Sequence, residues 1–120
     1  MNERAIDSTD WGLSASERAS INEGRWFSML APTDRHDLLR LAKVRRYASG
    51  DTISCRGDPA RYWYACAQGA VKIGSTTSSG KPFVLTYVRA GVWFGDPGLF
   101  DQGTCTHDAC AHGRTTVLTI

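Results

Sequence analysis

Long apolar runs are missing from this chain. None approaches the roughly 20 residues of a membrane-spanning helix, so no membrane partner is expected. Charge of one sign is equally scarce. Fourteen basic residues against 12 acidic ones leave a formal net charge of +2, too weak a field to draw the chain onto nucleic acid by itself. The nearest approach to a basic patch, Arg40, Lys43, Arg45 and Arg46, reads as a solvated face. The chain has no Walker phosphate loop, no serine in a nucleophile elbow and no His-x-His of the kind a cupin needs, and no enzymatic activity is expected. The four cysteines, Cys55, Cys66, Cys105 and Cys110, make no Cys-x-x-Cys pair, and no leader-like segment precedes the first structured element. Free thiols and a cytoplasmic location follow as expectations. Cys105, His107, Asp108, Cys110 and His112 gather metal-ligand types, but strand alternation puts Cys105 and His107 on one face and the others on the opposite one. No metal site is expected there.

The 120 residues, 42% hydrophobic and 22% charged, suffice for one core and not for two. Residues 1–25 read as a polar N-terminal extension with a short helix, and residues 26–120 as the folded domain. Ser14-Ala-Ser-Glu17 is a capping box that opens a helix over Ala15 to Glu23, sparse in apolar residues and therefore peripheral or mobile, ending at Gly24. Trp26, Phe27, Met29 and Leu30 supply an apolar docking segment. Pro32 or Thr33 starts a further helix, with Asp34 and Asp37 near its positive end and Leu38, Leu39, Leu41 and Ala42 as its buried stripe.

From Val44 the rhythm changes from helical to alternating, with turn signals at intervals of about 8–12 residues. Strands are expected near Val44–Tyr47, Thr52–Cys55, Tyr62–Ala67, Ala70–Ser75, Phe83–Val88, Val92–Phe94, Thr106–His112 and Thr115–Ile120. Eight short strands behind N-terminal helices make a mainly β, jelly-roll-like β-roll. Arg56-Gly57-Asp58-Pro59 is a turn within it, not an adhesion motif. In Tyr62–Ala67 both faces are largely apolar, which marks a central strand.

The stretch from Val92 to Ala109 has the anatomy of an anion pocket. A strand end leads to a tight turn at Gly95, a helix cap at Asp96 and a single helical turn through Leu99 and Phe100 behind Pro97. Gly95 permits close approach of a ligand, and the amides of Gly98 and Leu99 are free to face an anion.

Taken together, Gly50-Asp51-Thr-Ile53, Gly57-Asp58-Pro59, Tyr62 to Gly69, Val71-Lys72-Ile73, Gly80, Gly91-Val-Trp-Phe94-Gly95-Asp96 and Leu99-Phe100-Asp101 resemble the cyclic-nucleotide-binding domain of the Crp/Fnr transcription regulators, from about Trp26 to Ile120. The resemblance implies an eight-stranded β-roll in which Val92 to Ala109 is the phosphate-binding cassette. It implies that Gly95 lies near the cyclic phosphate and that Asp96, in place of a glutamate, meets the ribose hydroxyl. It places His107, Asp108 and Ala109, or Thr106 and His107 with the loop shifted by one, where the family's nucleotide binders carry Arg, Ser or Thr, and Ala. Val84, Tyr87 and Trp93 are expected as walls.

The missing guanidinium removes a charge-assisted contact worth about 1.5–3 kcal/mol, and Asp108 adds repulsion. A free imidazole, with a pKa of about 6.5, is mostly neutral at pH 7 and replaces little of it. Tight binding of cyclic AMP or cyclic GMP is therefore not expected, and no cofactor is assigned. The resemblance further implies a small-molecule effector, a homodimer in the intact protein, and DNA contact only through a C-terminal helix-turn-helix beyond Ile120. The other reading is a β-roll that has lost its ligand and serves as a protein-interaction or dimerisation module.

Overall fold

In the computed structural model, which describes residues 11–100 and 103–120, Ser14 opens helix α1 (Ala15–Glu23) as the capping box requires. Its hydroxyl accepts from the Glu17 amide at 3.1 Å, and the Glu17 carboxylate accepts from the Ser14 amide at 2.7 Å. The helix docks, through buried Ile21 and Glu17, rather than lying loose. Its carboxylate also takes a 2.8 Å ion-paired hydrogen bond from Arg46. Helix α2 (Arg25–Ser28) buries Phe27 completely, while Trp26 and Met29 of the same segment are exposed. Helix α3 (Pro32–Leu41) starts at proline, whose missing donor costs nothing at a first helical turn. Its expected stripe is narrower than the sequence suggests. Leu38, Leu39 and Ala42 pack against the core, but Leu41 is exposed and no residue of α3 is fully buried. A helix of three turns lying on the rim of the layer can present only one edge.

The β residues form one sheet of six strands: β1 (Lys43–Tyr47), β2 (Thr52–Ser54), β3 (Tyr64–Thr76), β4 (Pro82–Arg89), β5 (Trp93–Phe94) and β6 (Asp108–Thr119), all pairings antiparallel. Six strands stand where eight were expected because two pairs of expected strands fuse. Tyr62–Ala67 and Ala70–Ser75 become β3, and the two C-terminal segments become β6. Gln68-Gly69 and His112-Gly113 read as turns in the sequence. Gly69 and Gly113 do adopt left-handed φ values of 76° and 75°, but as facing bulges within a continuing ladder, where the β3–β6 register slips on either side of Gln68.

At these glycines the sheet folds over on itself. The residues beyond the bulge in β6 (Thr115–Thr119) pair with β1 and the start of β3; those before it (Asp108–His112) pair with β2 and the end of β3. The roll therefore has two facing halves, each assembled from short segments and one half of each long strand. Between them lies one core cluster of Cys66, Val71, Val88, Ala109 and Val117. Alternation turns Ala65, Ala67 and Leu118 outward beneath α1 and α2, where they join Leu13, Ile21 and Phe27 in a second cluster. This is the two-faced apolar strand expected at Tyr62–Ala67. Residues 1–10 of the expected extension, and Asp101, lie outside the described residues.

Candidate ligand site

Asp96 organises the segment between β5 and β6. Pro97 behind it sets the first turn of a short 3-10 helix, Pro97–Leu99, and Asp96 Oδ1 accepts from the Gly98 amide at 2.8 Å as its cap. The same oxygen accepts from the Thr106 amide at 2.8 Å and the Thr106 hydroxyl at 2.9 Å. Oδ2 accepts from the His107 amide at 3.1 Å, with the His107 ring Nδ1 3.9 Å away. One carboxylate thus ties the start of the cassette to the entry of β6. Burial pushes the Asp96 carboxyl up, but the donors from Gly98, Thr106 and His107 outweigh it and hold it below the usual range.

This arrangement changes the expected roles of three residues. The Gly98 amide is spent on Asp96, and the Leu99 amide donates to the Asp96 carbonyl at 2.8 Å, so neither is free to face an anion. Gly98 is needed for a different reason: a methyl group there would overlap the Thr104 carbonyl oxygen where the two ends of the segment cross. Gly95 is packed too, since an added Cβ would stand 2.6 Å from the Trp63 ring.

Beside the cassette, the two halves of the roll enclose a cavity of about 250 Å³. The structure brings Gly95, Asp96, His107, Asp108 and Ala109 of the expected set to its wall. Apolar residues from four strands line the rest of it: Tyr64 and Ile73 from β3, Val88 from β4, Phe94 from β5 and Ala109 from β6, with the Tyr64 and Phe94 rings stacked at 5.1 Å. Ser54, Thr86 and Pro97 complete the lining. Asp108 Oδ1 accepts from the Arg56 amide at 2.8 Å, which recruits the Arg56-Gly57-Asp58 turn as a brace for the cavity wall. Among the described residues, the formal charges in the lining are the carboxylates of Asp96 and Asp108; no lysine or arginine reaches it. Nor does any group of three or more His, Cys, Asp or Glu side chains among them converge as a metal site.

Gly98, Leu99, Val84, Tyr87 and Trp93 lie outside the lining. In β5, Phe94 faces the cavity, so its neighbour Trp93 faces away, stacked on Phe27 at 5.5 Å with its buried indole N–H unpartnered among the described residues. Tyr87 sits between Thr86 and Val88 and points outward onto His112, their rings 4.9 Å apart. Val84 would share the face of Thr86 and Val88 by simple alternation. The β3–β4 register slips between Ile73↔Thr86 and Gly74↔Val84, and this bulge moves Val84 to a separate groove beside Lys72. Ser54, Tyr64, Ile73, Thr86, Val88 and Phe94 were missed by sequence reasoning. Period-two alternation would have found Ile73 and Phe94; Ser54 and Thr86 depend on register.

The model of the family described as cyclic nucleotide-binding domain matches residues 44–120, more than half of the chain. The chain belongs to that family. It is a domain of the Crp/Fnr type, similar to the cAMP-activated global transcriptional regulator CRP of Haemophilus influenzae at 36% identity over 61 residues, which covers 51% of this chain and 27% of that protein. The chain thus spans about a quarter of that regulator. Among solved structures it resembles the catabolite activator protein of Thermus thermophilus, with a TM-score of 0.71 and 30% identity over 78% of this chain and 44% of the other. It also resembles the N-terminal domain of a transcriptional regulator from Streptomyces coelicolor, with a TM-score of 0.73 and 26% identity over 84% and 71% of the two chains.

Proposed function

We propose that this domain senses a small-molecule effector in the cavity beside Asp96, as the regulatory part of a Crp/Fnr-type transcriptional regulator. The observation that carries this reading is the cavity of about 250 Å³, walled by the cassette and by the start of β6 together with residues of β2, β3, β4 and β5. Because Asp108 and Ala109 wall the cavity while Val117 and Leu118 of the same strand fill both cores, ligand contacts bear directly on the strand that ties the roll together. An effector that prefers one arrangement of the cassette shifts the domain toward it. In the intact regulator the shift would pass to a dimerisation helix and a DNA-binding domain C-terminal to Ile120. The domain itself performs no catalysis in this reading, and it works in the cytoplasm.

The rival reading, an interaction or dimerisation module without a ligand, is favoured by β4. That edge strand exposes Phe83, Val84, Leu85 and Tyr87, the kind of apolar edge that invites pairing. Saturation-transfer NMR with cyclic AMP, cyclic GMP, adenosine and guanosine, each alone, separates the two. The sensor reading expects at least one to give a signal that Thr86→Trp, a substitution at the cavity mouth, abolishes. Silence from all four, on a folded protein, leaves the interaction module.

A further inference from the structure

The chemistry of the cavity wall points to a ligand class that differs from the family's. We infer, resting on the sensor reading above, that the site takes an uncharged nucleoside, a heterocycle carrying a free vicinal diol, in preference to a cyclic nucleoside monophosphate.

Three observations converge on this class. The first is charge. A phosphodiester anion entering this cavity would lose its water and meet the carboxylates of Asp96 and Asp108, with no lysine or arginine in the lining among the described residues. The amides that could have replaced a guanidinium, those of Gly98 and Leu99, are already bonded within the cassette. An uncharged ligand does not incur that penalty.

The second is the donor and acceptor inventory. Asp96 already accepts four donors, three on Oδ1 and one on Oδ2, and these bonds make it the strut of the cassette. Asp108 is different: Oδ1 is held by the Arg56 amide, which fixes the carboxylate, while its second oxygen has no hydrogen-bond donor among the described residues and is left to accept. Beside it the His107 ring is anchored through Nδ1 to the Thr106 hydroxyl at 2.8 Å, which leaves Nε2 as the second ring nitrogen for a ligand. A carboxylate oxygen and an imidazole nitrogen on adjacent residues suit a pair of neighbouring hydroxyls. A nucleoside presents such a pair, whereas a 3′,5′-cyclic phosphate consumes the 3′-hydroxyl.

The third is the floor. The stacked rings of Tyr64 and Phe94 give an apolar, flat surface for a heterocycle, and the hydroxyls of Ser54 and Thr86 can read its polar edge. At about 250 Å³ the cavity falls below the roughly 300–1,000 Å³ of sites for drug-sized molecules, in keeping with a small ligand.

Isothermal titration of the chain with adenosine, guanosine, cyclic AMP and cyclic GMP tests the inference. At least one nucleoside is expected to bind about tenfold or more tightly than its own cyclic monophosphate. Thr86→Trp should remove that binding, which locates it in the cavity, and the double substitution His107→Arg with Asp108→Ser should reverse the preference toward the cyclic form. Tighter binding of a cyclic nucleotide to the unaltered chain overturns the inference and leaves the sensor reading standing. Absence of binding by all four, with a folded far-UV spectrum, overturns both. Retention of the nucleoside preference by the double variant overturns the charge argument on which the inference rests.

Discussion

Asp96 shows how one side chain can be legible in sequence while its work is not. Its place before proline and a short helical turn marks it as a cap, and it is one. Its other partners lie ten and eleven residues further on, at Thr106 and His107, and no local pattern announces a contact made by closing a loop. Asp96→Ala is expected to destabilise the domain by about 2 kcal/mol in urea unfolding, since hydrogen bonds to a charged group are worth roughly 1.5–3 kcal/mol and do not add. The folded-state pKa of Asp96 is depressed, so its contribution is fully present above the unfolded-state value and disappears as pH falls through the folded one. Asp96→Asn should therefore flatten the acid limb of the stability profile, measured by thermal melts from neutral pH downward. Cys66 gives a second residue-scale expectation. Burial pushes its thiol up to about 11, so it should resist alkylation at neutral pH in the native protein and react once the chain is unfolded.

Among the elements, α1 was the best marked and its packing the least. The capping box fixed the start of that helix to the residue and Gly24 its end, yet a segment so poor in apolar side chains gave little sign that it docks. What holds it is a buried carboxylate: Glu17 serves the cap and the Arg46 guanidinium together. Glu17→Ala removes both and is expected to cost about 1–2 kcal/mol, read as a lower urea midpoint with an unchanged slope. The strands were found nearly where alternation put them, and the errors cluster at glycine. Gly69 and Gly113 carry ordinary turn signals, but a left-handed residue also satisfies a bulge, and only the partner strand decides which. Gly69→Ala would force a methyl into the Arg114 carbonyl oxygen, at a backbone angle that alanine resists. It should lower the melting temperature by several degrees, more than Gly50→Ala, where an added methyl meets nothing.

At the scale of the molecule, fold class and the position of the cassette were readable because both rest on local signals repeated along the chain. The cavity was half readable. Gly95, Asp96, His107, Asp108 and Ala109 belong to one contiguous stretch, whereas Ser54, Tyr64, Ile73 and Thr86 arrive from three other strands by long-range pairing. The exposed edge of β4 is likewise a property of sheet order, invisible in a strand read alone. In the rival reading, in which that edge pairs with a second copy, Leu85→Lys is expected to reduce concentration-dependent association in sedimentation velocity and leave the melting temperature unchanged.

The fused strand β6 also gives the domain a mechanical grain. Along its length it is zipped to β1 and β2 on one side and to β3 on the other. Tension along the β6 axis would load those ladders in shear, many hydrogen bonds at once, while the same tension along edge strand β4 is carried by the single ladder it shares with β3. A single-molecule pull is therefore expected to find the domain stiff along β6 and compliant along β4, so that force delivered through the strand that walls the cavity travels through the roll before it tears it.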